Sequence, residues 1–152
     1  MKNKSAYTLI ELLVGISIMS IIFSVGFASY RDFSRRQALT GVTKSIISDL
    51  RLLQQKALSG EKPDLCTVLS GYQIDITSTT TYNLQAVCST NITIKTIDLA
   101  VDEVTISSSF DPIKFKVLGQ GTNLTTDAVI TITNSKIGNS SVINVGIGGD
   151  IR

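Results

Sequence analysis

Residues 5–14 read Ser5-Ala6-Tyr7-Thr8-Leu9-Ile10-Glu11-Leu12-Leu13-Val14, and the apolar run they open continues as GISIMSIIFSVGFASY to Tyr30. No residue from Leu12 to Tyr30 is charged. At a helical rise of about 1.5 Å per residue this run reaches about 30 Å, one hydrocarbon core. Ahead of it lies a polar, basic hexapeptide, Met1 to Ala6, with Lys2 and Lys4. Those lysines are expected on the cytoplasmic side. Arg31, Arg35 and Arg36 follow the run with only Asp32 near them, so charge alone sets the orientation weakly. The residue that discriminates is Glu11. A carboxylate at the start of an apolar run is costly in a bilayer and marks function by default. A plain signal anchor has no use for it. Neither has a secretory signal cut after Ala28, although Gly26-Phe27-Ala28 offers a small-x-small site. A segment retained for assembly gives Glu11 a task.

The stretch Ser5 to Val14 resembles the class III signal of type IV prepilins and pseudopilins, in which a basic leader ends in a small residue, an aromatic residue follows, and T-L-I-E-L-L-V comes next. Ala6 stands where glycine is usual in that family. The resemblance implies cleavage by a prepilin peptidase between Ala6 and Tyr7, N-methylation of Tyr7, retention of the helix, and an assembly role for Glu11. It implies as partners the peptidase, an inner-membrane assembly platform, membrane lipid and other pilin or pseudopilin subunits. It also implies an inner-membrane, single-pass chain whose extracytoplasmic C-terminal domain later joins a filament. The physical logic agrees. A cut before Tyr7 creates a cationic amine, and Glu11 lies one helical turn beyond it on the same face. In a low-dielectric filament core, the amine of one subunit pairs strongly with the carboxylate of its neighbour, and an unpaired carboxylate is penalised. Gly15, Ser17, Ser20, Ser24, Gly26 and Ala28 are small enough for close helix approach, and equally fit ordinary transmembrane composition.

Beyond Tyr30 the pattern becomes amphipathic. Leu39, Val42, Ile46, Leu50, Leu53 and Ala57 recur at spacings of three and four, opposite Lys44, Ser48, Arg51 and Gln55. Ser59-Gly60 supplies a stop and Pro63 follows. From Glu61 onward, period-two alternation and turn residues predict strands over 65–69, 72–76, 82–87, 92–99, 104–107, 113–117, 128–133 and 142–147. The fold expected is α+β and pilin-like: a long N-terminal helix, transmembrane in one half and amphipathic in the other, packed on an antiparallel sheet or small β-sandwich. The boundaries are leader 1–6, transmembrane and assembly helix 7–30, amphipathic helix 31–60 and β-rich domain 61–152.

The rest of the sequence argues mainly by exclusion. There is no histidine, and no nucleophile–base pair stands out, so no enzyme activity, catalytic residue or cofactor is expected. From Ala38 to the end, nine basic residues face ten acidic ones, which is no footprint for nucleic acid. Cys66 and Cys88 are the only cysteines. In an exported domain an even count suggests one disulfide, with a metal pair or two free thiols as alternatives. Asp98, Asp102, Glu103 and Asp111 match no calcium-loop spacing, so no metal is expected. The run Ser48 to Gly60, Ile113-Lys114-Phe115 followed by Gly119, and the glycine-ended tail resemble H-type minor pseudopilins and FimT-type minor pilins. Some FimT-type proteins bind DNA through a terminal G-R-x-R. Here the tail is Gly149-Asp150-Ile151-Arg152, which leaves only Arg152 of that motif. The function expected is a structural, minor pilin or pseudopilin subunit of a type IV pilus or type II secretion pseudopilus. The alternative is a filament-tip subunit that binds DNA, a surface or secreted cargo.

Overall fold

The computed structural model describes residues 8–152. The leader and the Ala6-Tyr7 junction lie outside the described residues. Two units divide between Ser34 and Arg35. One helix, α1, runs Leu9–Ser59. It opens with a capping box: the Glu11 N–H donates to Thr8 Oγ1 (3.3 Å), and Glu11 Oε2 accepts from the Thr8 N–H (3.1 Å) and hydroxyl (3.0 Å). It closes at Gly60, whose φ of 64° is the left-handed cap that glycine adopts without strain.

In the first unit the described large apolar side chains of α1 are exposed, and α1 is long and apolar enough to cross a membrane. Ser17, Ser20 and Ser24 donate their hydroxyls to the carbonyls of Leu13, Ile16 and Ser20, at 2.8, 2.9 and 2.8 Å. No donor among these three faces lipid unsatisfied.

In the second unit the stripe from Leu39 to Ala57 is buried throughout, and Lys44, Ser48, Arg51 and Gln55 are exposed, as the spacing predicts. Seven strands follow: β1 Gly71–Ile76, β2 Thr81–Val87, β3 Ile92–Asp98, β4 Val104–Ser108, β5 Ile113–Lys116, β6 Ala128–Asn134 and β7 Ser140–Val145. They form two antiparallel sheets, ordered β3-β2-β1-β5 and β4-β6-β7. The helix stripe, Tyr72, Ile74, Tyr82 and Leu84 from the first sheet, and Ile106, Ile130, Ile132 and Ile143 from the second share one core. Gly71 is required where it stands, because a Cβ there would run into the Phe115 carbonyl of the paired strand.

Two readings of the β region need correction. Residues 65–69 form turns, not a strand. The Cys66 N–H closes a turn on the Pro63 carbonyl (2.9 Å), Cys66 is buried, and Leu65 and Val68 point outward. The segment was expected as a strand, but no strand pairs with it. The alternation Ile92-Thr93-Ile94-Lys95 also fails inside β3. Ile92 and Ile97 both pack against the core, although their offset along the chain is odd. A bulge opposite Leu84/Gln85 absorbs the extra residue, and Ile94 is left exposed.

Candidate functional site

The charged residue of the apolar segment is held by its own helix start. Glu11 Oε2 carries both contacts from Thr8, while Oε1 has no hydrogen-bond partner among the described residues. A carboxylate offers roughly four lone-pair positions, so one oxygen can serve the cap while the other stays open to an incoming cation. The sequence signal for this cap was the spacing Thr8-x-x-Glu11, a capping box in its own right, which the assembly reading of Glu11 had overlooked.

On the second unit, Asp49 is the polar exception in the buried stripe of α1. It accepts a hydrogen bond from the Tyr82 hydroxyl (2.8 Å), and Lys95 Nζ lies 3.6 Å from its other oxygen. Burial raises the Tyr82 pKa, and the hydrogen bond to Asp49 and its negative charge raise it further. The phenol therefore remains a donor throughout the physiological range. Lys95 reaches Asp49 because the bulge turns it toward α1 where plain alternation would point it to solvent. These three residues fasten the helix to the first sheet, and only their pattern violation, an acid inside an apolar stripe, marked them in the sequence.

Cys66 and Cys88 are bonded to each other, tying the turn segment after α1 to the end of β2. The Tyr72 hydroxyl donates to the Glu61 carbonyl, and Lys56 pairs with Glu61 (2.6 Å), so the same segment is held at its start as well. Three of the four acidic residues considered for calcium are committed to separate tasks. Asp98 accepts from the Ala100 N–H (2.8 Å) just ahead of the 3-10 turn Ala100–Asp102, Glu103 pairs with Arg35 (3.1 Å), and Asp111 accepts from the Ile76 N–H (3.0 Å). Among the described residues no group of three acids, cysteines or histidines is placed to hold a metal.

The tail folds back on β7. Asn144 and Arg152 exchange two backbone hydrogen bonds (3.0 Å each), and Arg152 pairs with Asp150 at 2.7 Å. Asp150 thus not only replaces an arginine of the DNA-binding pattern but also engages the arginine that remains. The tail is tied to the helix as well, through Gln54 Nε2 donating to the Gly149 carbonyl (3.1 Å).

Compared with known families, the chain matches the prokaryotic N-terminal methylation motif over residues 1–27. No curated protein and no solved structure matches it.

Proposed function

We propose that this chain is a structural subunit of a type IV filament, pilus or type II secretion pseudopilus, and that it belongs with the H-type and FimT-type minor subunits. The single observation that carries the reading is the N-terminal methylation motif over residues 1–27, which supports a type IV pilin-like protein. The exposed apolar face of α1, the antiparallel β domain and the disulfide are consistent with it. In this reading a prepilin peptidase cuts between Ala6 and Tyr7 and methylates the Tyr7 amine. The helix stays in the inner membrane until an ATP-driven assembly platform lifts it into the filament. There Glu11 Oε1 accepts the Tyr7 amine of a neighbouring subunit, while Oε2 keeps the helix cap. The mispairing penalty for a buried lone carboxylate or amine then sets the axial register between subunits.

Intact-mass analysis of the full chain, purified from membranes of a host with a prepilin peptidase, tests this. The expected mass lacks Met1 to Ala6 and carries one added methyl group. A chain cut after Ala28, or left whole, would overturn the reading.

A further inference from the structure

We propose that Thr8 is a positioning residue for the leader cut, because it ends α1 short of the Ala6-Tyr7 bond; this rests on the prepilin reading above. Thr8 is not helical, and Leu9 is the first residue of α1. The Thr8 carbonyl already accepts an intrahelical bond from the Leu12 N–H (3.2 Å). That is the backbone arrangement of an N-cap, and Thr8 Oγ1 accepts the Glu11 N–H as a capping side chain does.

The return contact has a further effect. Glu11 Oε2 accepts the Thr8 N–H as well as the hydroxyl. If the helix grew toward the N-terminus, that N–H would have to bond the carbonyl four residues back, at Lys4. The capping box therefore satisfies free N–H groups of the first turn and also occupies the group through which the helix would extend. Growth by one turn would give up all of these contacts.

The residues upstream show why a stop is needed there. Ala6 is the strongest helix former and Lys4 a good one. The next residues able to cap are Ser5 and Asn3. With Ser5 as the cap, Ala6 and Tyr7 become the first two residues of the helix. With Asn3 as the cap they lie deeper still. Either start encloses the bond to be cut. Peptidases act on bonds outside regular structure, and where opening is faster than cutting, the rate follows the fraction of chains that are open. Thr8 keeps the Ala6-Tyr7 bond on the open side of the helix start.

The test measures the initial rate of leader removal from the full chain, in detergent with a purified prepilin peptidase, by intact mass. The variants are Thr8→Ala, Thr8→Ser, Ala6→Gly and the double variant Ala6→Gly/Thr8→Ala. Thr8→Ala should slow the cut by up to about fivefold, the factor that loss of an N-cap represents. Thr8→Ser should run at the parent's rate. Glycine opposes a helix by a similar factor, so in the Ala6→Gly background the Thr8→Ala change should cost less than about twofold. A side chain that merely touched the peptidase would cost the same in both backgrounds, and that result would overturn the proposal. So would equal rates for the parent and Thr8→Ala, or a Thr8→Ser variant as slow as Thr8→Ala. A parent chain that is not cut between Ala6 and Tyr7 would instead overturn the prepilin reading itself.

Discussion

At Asp111 the environment works against a charge. Burial raises its carboxyl pKa above the ordinary value of 3.8, the Ile76 N–H opposes that shift, and the charge of Asp75 adds to it. A folded-state pKa raised in this way supports folding below about pH 3.8, and the support is lost as pH rises through the folded value. At neutral pH the ionised group counts against the fold. Asp111→Asn keeps an oxygen for the Ile76 N–H and removes the charge. The detergent-solubilised variant is expected to melt higher than the parent at pH 7. Because the side chain is only partly shielded and its charge is screened by solvent, the gain should be about 1–2 °C. It should close as the pH falls toward 4, and thermal unfolding at the two pH values reads it. A lower midpoint at pH 7 would contradict this account. Asp49 shows the opposite residue-scale logic, a buried carboxylate made tolerable by a phenol and an ammonium.

At the scale of elements, the amphipathic half of α1 was legible residue by residue because a helix facing a core repeats its burial every three to four positions. Each member of the predicted stripe is buried. The strands were legible where alternation ran unbroken, as in β6 with its strict inward Ala128, Ile130 and Ile132. They were misread where a bulge shifts the phase, since the shift depends on the partner strand and leaves no mark in local composition. The bulge makes a sharp prediction. Ile97→Thr should cost about 1–2 kcal/mol by urea unfolding. Ile94→Thr, although equally apolar in sequence, should change stability by less than about 0.5 kcal/mol. Equal losses would mean that β3 keeps simple alternation. The turn segment after α1 was misread for a related reason: its order comes from a covalent tie and a few polar contacts. Replacing both Cys66 and Cys88 by serine, across a separation of 22 residues, should lower stability by about 3 kcal/mol. The same unfolding measurement checks this, and an unchanged midpoint would show that the polar contacts alone suffice.

For the molecule as a whole, the decisive signal was concentrated in the first twenty-seven residues, where the methylation motif lies. The β domain carries its fold in its pattern but no motif of comparable specificity. The two tasks assigned to Glu11 can now be separated. Glu11→Ala removes both the helix cap and the charge, whereas Glu11→Gln keeps a cap acceptor and removes only the charge. Membrane insertion should be unharmed in either case. Incorporation into sheared filaments, measured against protein left in membranes, should fall at least about tenfold for both variants. Wild-type incorporation of Glu11→Gln would reduce the residue to a cap.

The serines at positions 17, 20 and 24 have a consequence for traffic between phases. Each hydroxyl is already committed to a carbonyl one turn back. When such a helix leaves lipid for the flank of another helix, or returns, no donor changes hands. The exchange then carries almost no hydrogen-bond enthalpy in either direction, and its balance falls to shape and to the lone carboxylate. On the filament reading proposed above, the segment would need no rearrangement of its own to change surroundings, which is the property of a reusable part.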